Sequence, residues 1–391
     1  MRGLPLVRSR SAAIAARSIA VVLALLAWMP SPAQAQTGCT NNFIDPQRRY
    51  PTNEAAAAKV VRPLTAGKPL GEVKYNARGS TTTSTLTDYL GMFCTTSILV
   101  LHDGQVVFER YLQHTGPSTS FLSASMSKTI LSLLIGIAIS EGKLSLEDRV
   151  ADLLPDFNES SFGKDTVEEL LRMTSGVELK NSYVRGEAAD NEAVNPMAAP
   201  QRDVRAYLRG KVGVDPAGKQ FNYNGAVTAL LGLVLSARTG MTNTDYLADR
   251  LWGPMGAEAP AYWIKNRNGQ EGVQGQFIAT ARDYGRLGLL IMNMGRAGDR
   301  QVVPREWIEQ MTTLRRDKSQ PAHVPFYGLH IWIPQAAGGR SFAAGTNGQY
   351  IFVDPVAKTV IVHTGNGPLA EFHGNGHLFA LRDAIADALT R

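Results

Sequence analysis

The order of β-rich and helical segments along the chain is the feature that constrains the fold most strongly. Two β-rich pieces flank Asp103-Gly104 in TTSILVLHDGQVVFERYL, which begins at residue 95, and this dipeptide is typical of tight hairpins. From residue 125 to about 260, apolar residues recur at helical spacing. Short β-rich segments separated by Gly, Pro or Asp return between residues 326 and 365. This order predicts one sheet assembled from both chain ends, with a helical part inserted between them.

We therefore predict an α+β fold in which helices flank an antiparallel sheet and a mostly helical subdomain is inserted. The domain spans residues 91–385, with its sheet part in 91–122 and 265–391 and its helical part in 123–264. Residues 36–90 are predicted to form an arm over the surface. The last segment, GHLFALRDAIADAL, predicts an amphipathic helix that covers one sheet face. The cleft between sheet and helices is the natural place for a site.

The first 35 residues have the pattern of a secretory signal peptide. Four arginines precede an 11-residue apolar run from Ile19 to Met29, which leads to the small-residue site Ala33-Gln34-Ala35. A membrane anchor is the alternative, but spanning a bilayer takes roughly 20 apolar residues. We predict a periplasmic or secreted protein, with no stable membrane anchor after cleavage near Ala35.

Charge and cysteine content narrow the class further. Without the leader, 40 minus 4 leaves 36 basic residues against 34 acidic ones, so the net charge falls from +6 to +2. The sequence has no basic cluster with interleaved aromatic residues, so we predict no nucleic-acid partner. Cys39 and Cys94 are the two cysteines, and in an oxidising compartment they form either a disulfide or two free thiols.

The pattern S-x-x-K, typical of β-lactamases and penicillin-binding proteins, occurs three times. The three matches are Ser125 with Lys128, Ser140 with Lys143, and Ser161 with Lys164. The second lies where the apolar helix ends near Glu141-Gly142, and the third contains a glycine and reads as a loop. Only Ser125, in SASMSKTILSLLIG, opens a long apolar helix.

That position gives Ser125 and Lys128 a chemical relationship. Residues three apart in a helix share a face, so the two side chains can touch. A serine hydroxyl becomes a good nucleophile when a neighbouring base takes its proton, and a lysine serves as that base when burial or nearby cations lower its pKa. The alternative is a helix-capping serine beside a solvated lysine.

A second segment, Asp215–Gly225, reads DPAGKQFNYNG and leads through a turn to Tyr223. A tyrosine near the lysine can relay a proton to a leaving group, although packing at a loop edge is the commoner role of a tyrosine.

The same region matches G-x-x-x-x-G-K, but Gln220 stands where a phosphate loop needs Ser or Thr. We therefore exclude a nucleotide site.

A third segment, Ala343–Pro355, combines a small-residue strand edge with a Gly-rich turn. Here the backbone N–H of Thr346 can approach a substrate carbonyl and, with the N–H of Ser125, stabilise an oxyanion; an ordinary hairpin turn is the alternative. The segment His363-Thr364-Gly365 follows the strand KTVIV and comes one strand too late for such an edge, so we interpret it as a structural or rim feature. His363, His373 and His377 are weaker candidates for substrate contact. Neither H-E-x-x-H nor a Cys/His cluster occurs, so we predict no metal and no cofactor. The absence of G-x-S-x-G argues against an α/β-hydrolase.

Taken in order, these segments resemble the serine β-lactamase and penicillin-binding-protein superfamily. The phrases that carry the likeness are SASMSKTILSLLIG, GKLSLEDRVADLLPDF, ELLRMTSGV, FNYNGAVTALLG and ARDYGRLGLL, so it covers about residues 90 to 385. The chain is most similar to the class C-like branch that includes 6-aminohexanoate-dimer hydrolases and esterases. The resemblance implies that Ser125 forms an acyl-enzyme, that Lys128 and Tyr223 share acid and base duty, and that the N–H groups of Ser125 and Thr346 form the oxyanion hole.

Departures from the family pattern bear on the substrate. Such β-lactamases have the motif Tyr-x-Asn, but in this chain the residue two positions after Tyr223 is Gly225 instead of Asn. Their strand edge has Lys-Thr-Gly, and here it is Ala343-Ala344-Gly345. The missing lysine removes a charge that would hold a carboxylate, unless Arg340 substitutes for it. Gly225 and Gly345 are predicted to border the substrate, and Tyr183 is predicted to line an acyl pocket or to lie on the surface.

We expect an amidase or esterase that acts on small linear substrates. Within hydrolases, the alternative is a β-lactamase or D-alanyl-D-alanine carboxypeptidase. From another class, the alternative is a penicillin-recognising binding module without turnover. The predicted partner is a small amide or ester, and the oligomeric state is left open.

Overall fold

The computed structural model describes residues 39–180, 189–213, 216–314, 326–334, 338–367 and 376–391. The strands in these ranges are β1 Thr52–Ala55, β2 Lys74–Asn76, β3 Thr83–Thr85, β4 Thr95–His102, β5 Gln105–Tyr111, β6 Ser120–Leu122, β7 Ala261–Ile264, β8 Phe277–Thr280, β9 Arg296–Ala297, β10 Arg300–Gln301, β11 Phe326–Tyr327, β12 Trp332–Ile333, β13 Ser341–Gly345, β14 Gln349–Asp354 and β15 Thr359–Gly365. The α-helices are α1 Leu86–Met92, α2 Met126–Ser140, α3 Val150–Leu153, α4 Val167–Leu171, α5 Asp190–Ala193, α6 Val204–Arg209, α7 Gly225–Thr239, α8 Asn243–Leu247, α9 Gly253–Met255, α10 Ala281–Met292, α11 Arg305–Thr312 and α12 His377–Leu389.

The main sheet joins the two ends of the chain. Its strand order within the described residues is β11-β12-β13-β14-β15-β4-β5, and the neighbouring strands are antiparallel. The hairpin β4–β5 turns at Asp103 and Gly104, whose φ angles of 47° and 80° are left-handed as a tight turn requires. Since β4 pairs with β15, the predicted sheet from both chain ends is confirmed.

Helices cover both faces of this sheet, which explains the uninterrupted apolar run Ile98–Leu101 in β4. Leu99 and Leu101 point into the core beneath α2 and α10, whereas Ile98 and Val100 point into a second core beneath α1 and α12. Side chains alternate between faces along a strand, so a strand covered on both sides loses its polar positions. The predicted C-terminal helix is present as α12, and its Leu381 is fully buried in the second core.

The inserted part is mostly helical and surrounds α2. That helix is buried from Met126 to Ala138, and Gly136 lets α11 approach: a Cβ there would lie 2.2 Å from the Trp307 ring.

Across the described ranges, no single helix is long and apolar enough to cross a membrane. By length and composition alone, the bent pair Gly225–Thr239 and Asn243–Met255 would meet that test.

The arm was predicted to lie over the surface, but it has regular structure and buried residues. It contains β1 to β3 and α1, and Ala55 and Tyr75 are buried. Moreover, β1 joins a second, four-stranded sheet of order β1-β7-β8-β6. Strands of three or four residues are too short to show a hydrophobic period, which is why the sequence did not reveal them.

A disulfide joins Cys39 to Cys94, with 5.6 Å between the Cα atoms. The sequence had left this pairing open. The bond lies beside the end of β15, because Asn366 N–H donates to the Cys94 carbonyl and Thr40 N–H donates to the Asn366 carbonyl. The start of the arm is thereby fixed to the main sheet.

Candidate active site

Ser125 lies at the junction of the second sheet and the central helix. Strand β6 leads into it, and Ser123 N–H donates to the Phe277 carbonyl of β8 at 2.8 Å. Ala124 has a left-handed φ of 44°. A non-glycine residue in this region costs about 1–3 kcal/mol and is held by its surroundings, as is common at active sites. The turn leaves Ser125 partly exposed at the start of α2, between residues that are buried.

Lys128 lies one helical turn further on and is 3% exposed. Its Nζ is 2.9 Å from Ser125 Oγ and 2.6 Å from the Gln274 carbonyl oxygen. Burial lowers the pKa of Lys128 to about 7, so a neutral amine is accessible near neutral pH. That amine can donate to Gln274 while its lone pair accepts the Ser125 proton. Sequence reasoning missed Gln274, whose backbone carbonyl leaves no sequence signal.

The other two S-x-x-K pairs have ordinary structural roles. Ser140 donates to the Ile137 carbonyl at 2.8 Å, and Lys143 is paired with Glu141 at 3.8 Å. In the third pair, Ser161 Oγ accepts from a backbone N–H, and Lys164 is exposed. Of the three pairs, the one at Ser125 is thus the one whose hydroxyl and buried amine are in hydrogen-bond contact.

Tyr223 lies over the amine, since Lys128 Nζ is 5.1 Å from the centre of its ring. Asn222 N–H donates to the Met173 carbonyl, which fixes the segment before α7. The Tyr223 ring packs against Trp332 at 5.2 Å and Tyr327 at 5.8 Å between ring centres. Sequence reasoning missed this aromatic wall, because residues 326–334 were predicted only to be one of the short β-rich segments. Its contact with Tyr223 joins parts of the chain that are more than a hundred residues apart, so no local pattern reveals it.

The end of β13 approaches the serine turn closely at Gly345. A Cβ there would lie 2.3 Å from the Ser123 carbonyl oxygen and 2.9 Å from Ala124 Cβ, so only glycine permits this approach. Thr346 follows directly, and it is partly exposed, as Ser125 is. No described residue accepts a hydrogen bond from the backbone N–H of either one. Two available donors beside a nucleophile are what stabilisation of an oxyanion requires.

Two of the weaker substrate-contact predictions are wrong. His363 is 0% exposed, because it points from β15 into the core, where its Nδ1 lies 2.7 Å from the Gly348 carbonyl oxygen. Gly225 is buried at the start of α7 and donates its N–H to Asn191. A Cβ at Gly225 would lie 2.7 Å from Asn191 Oδ1, so this glycine borders protein rather than a substrate space.

The other candidates for substrate contact are His377, Tyr183, His373 and Arg340. His377 contacts Tyr75 at 2.9 Å in the second core, and this contact accounts for its half-buried side chain. Tyr183 and His373 lie outside the described residues. Arg340 does not replace the lost lysine: it pairs with Asp354 at 2.6 Å and stands before the opposite end of β13 from Gly345.

Comparisons with known proteins find related sequences. The Beta-lactamase family profile matches residues 86–384. The 6-aminohexanoate-dimer hydrolase of Paenarthrobacter ureafaciens is 25% identical over 293 residues, which cover 70% of this chain and 73% of that protein. Protein flp of Staphylococcus aureus (strain MW2) is 26% identical over 170 residues, which cover 41% of this chain and about a third (33%) of that protein.

Solved structures show the same fold. A Bacillus anthracis protein provisionally assigned as a 6-aminohexanoate-dimer hydrolase superposes with a TM-score of 0.80 at 23% identity, covering 89% of this chain and 92% of its own. The octameric penicillin-binding protein homologue from Pyrococcus abyssi gives 0.59 at 20% identity, covering 76% and 74%. The chain therefore belongs to the Beta-lactamase family, has the β-lactamase/transpeptidase-like fold, and is a serine hydrolase related to 6-aminohexanoate-dimer hydrolase.

Proposed function

We propose that this protein is an exported serine hydrolase that cleaves an amide or ester bond of a small linear substrate through an acyl-enzyme. The observation that carries the proposal is the 2.9 Å contact between Ser125 Oγ and the buried Lys128 amine. The leader-like first 35 residues support export to the periplasm or medium.

In acylation, neutral Lys128 takes the hydroxyl proton as Ser125 Oγ attacks the substrate carbonyl carbon. The N–H groups of Ser125 and Thr346 stabilise the oxyanion that forms. When the C–N or C–O bond breaks, the proton passes from Lys128 through the Tyr223 phenol to the leaving amine or alcohol. The products of this step are an ester on Ser125 and the free leaving group.

In deacylation, water takes the place of the leaving group. Tyr223 and Lys128 accept a proton from the water as its oxygen attacks the acyl carbon, and the same two N–H groups stabilise the second oxyanion. Breakdown returns the proton to Ser125 Oγ and releases a carboxylic acid. The free enzyme is thereby restored, and no cofactor takes part.

The strand edge favours a linear amide or ester over a β-lactam. Ala343 and Ala344 stand where a lysine would hold a substrate carboxylate, and Arg340 is paired with Asp354. The aromatic wall of Tyr223, Tyr327 and Trp332 offers apolar surface beside the amine. The matched relative named as a 6-aminohexanoate-dimer hydrolase supports an amide of this linear kind.

Covalent labelling tests the nucleophile. A fluorophosphonate probe is expected to add one label to the wild type and to Ser140→Ala, and none to Ser125→Ala, because Ser125 is the serine of the three S-x-x-K pairs whose hydroxyl contacts a buried amine. Intact-mass spectrometry measures the result. Ser140→Ala is the matched control, since it removes a serine from the same motif. Labelling that survives the loss of Ser125 would refute the assignment.

Substrate turnover tests the class of substrate. We expect hydrolysis of short-chain p-nitrophenyl esters or aminohexanoate amides, and little turnover of a chromogenic cephalosporin. The strand edge Ala343-Ala344-Gly345 lacks the lysine that would hold a carboxylate, and Arg340 is paired with Asp354. Initial rates with each compound at equal concentration give the comparison. Efficient cephalosporin turnover, or stable acylation by penicillin, would instead favour the β-lactamase or carboxypeptidase alternative.

A further inference from the structure

His363 is a buried titratable side chain that the proposed mechanism leaves unused. Its Nδ1 lies 2.7 Å from the Gly348 carbonyl oxygen. A carbonyl oxygen can only accept, so Nδ1 carries the proton and donates. Nε2 is then an acceptor for the hydroxyls of Thr95 and Tyr89, at 3.0 and 3.1 Å. The imidazole is therefore fixed from both sides in one tautomer.

The carbonyl that His363 holds belongs to the turn that carries Thr346. This turn, Thr346–Gly348, connects β13 to β14, and its Asn347 and Gly348 have left-handed φ angles of 63° and 93°. A backbone with these left-handed φ angles is strained, so surrounding contacts must hold it in place. Gln349 Nε2 supplies a second hold by donating to the Asn347 carbonyl at 3.1 Å.

We propose that His363 is a positioning residue for the oxyanion hole. By donating to the Gly348 carbonyl, it holds the turn in the conformation that leaves the Thr346 N–H available to the substrate oxygen. The inference rests on the proposed function, because it requires the Thr346 N–H to stabilise an oxyanion. His363 is fully buried and acts through the backbone, so it does not touch the substrate.

Two donor-free variants and one donor-retaining variant test this role. His363→Phe and His363→Leu remove the donor, whereas His363→Gln keeps an N–H that can reach the carbonyl. Tyr89→Phe is the matched control, because it removes a hydroxyl from the other side of the ring and leaves the Gly348 contact in place. Each variant is checked for folding by thermal denaturation before kinetics.

The decisive readout is the rate ratio between p-nitrophenyl butyrate and its thionoester. Sulfur is larger than oxygen and accepts hydrogen bonds weakly, so an intact oxyanion hole favours the oxygen ester. We expect the donor-free variants to lower kcat by roughly 10–100-fold with little change in KM, and to reduce this ratio. His363→Gln should give an intermediate ratio, and Tyr89→Phe a ratio like the wild type.

The outcomes separate the two proposals. A folded donor-free variant with an unchanged ratio would refute the role of His363, even if its activity were lower. If both donor-free variants fail to fold, His363→Met takes their place under the same criterion, because it also lacks a donor and its flexible apolar side chain can fill the buried site. Failure of the wild type to label at Ser125 would instead refute the proposed function, and this inference with it.

Discussion

Replacing Lys128 with methionine is expected to lower kcat/KM by about 10³-fold, because the base that activates Ser125 is lost while the buried aliphatic volume is kept. Ester hydrolysis under conditions well below KM measures the effect. Lys143→Met is the matched control: it removes the lysine of another S-x-x-K pair, which is engaged with Glu141. Equal losses in the two variants would show that Lys128 is not the base.

The pH profile of the wild type should report the same amine. Burial lowers the pKa of Lys128 to about 7. Below that pH the ammonium has no lone pair to accept the serine proton, so log kcat/KM should fall by about one unit per pH unit as the pH decreases. Above it the amine is neutral and the profile should level off. A profile that is flat from pH 5 to 9 would contradict this mechanism.

The contact between Ser125 and Lys128 was predictable because it depends on local geometry. Ser125 and Lys128 belong to one helical turn, so their spacing alone brings their side chains together. The apolar residues after Lys128 also indicated that the amine would be buried, and burial is what lowers its pKa.

The errors concern residues whose surroundings come from distant parts of the chain. His363 was a candidate for substrate contact, but it faces the core because of its register against β4 and β14. A strand covered on both faces has no polar pattern from which the direction of one side chain could be inferred. The contact of Tyr223 with Trp332 likewise joins residues more than a hundred positions apart in the chain.

The fold class was predictable from the order of β-rich and helical segments, whereas the second sheet was not. Strand β1, in the arm, pairs with β7 more than two hundred residues later. Four-residue strands carry too weak a pattern to be recognised without their partners. This sheet matters for the site, because β6 delivers the chain to Ser125.

The close approach of β13 to the serine turn at Gly345 predicts a second large loss of activity. Gly345→Val should lower kcat by about 10²-fold or more, the loss typical when an oxyanion-hole donor is displaced. The added Cβ would lie 2.3 Å from the Ser123 carbonyl oxygen, a distance that backbone atoms cannot accommodate without moving. Strand β13 and the N–H of Thr346 must therefore shift away from Ser125.

Gly71→Val is the matched control for this substitution, since a Cβ at Gly71 meets no atom within 4 Å and its backbone is not left-handed. Steady-state kinetics with a p-nitrophenyl ester give kcat, and thermal denaturation shows whether each variant is folded. A folded Gly345→Val enzyme with wild-type kcat would mean that the edge of β13 does not supply an oxyanion donor. Stabilisation of the oxyanion would then need a partner other than Thr346, because Ser125 contributes only one of the two N–H groups.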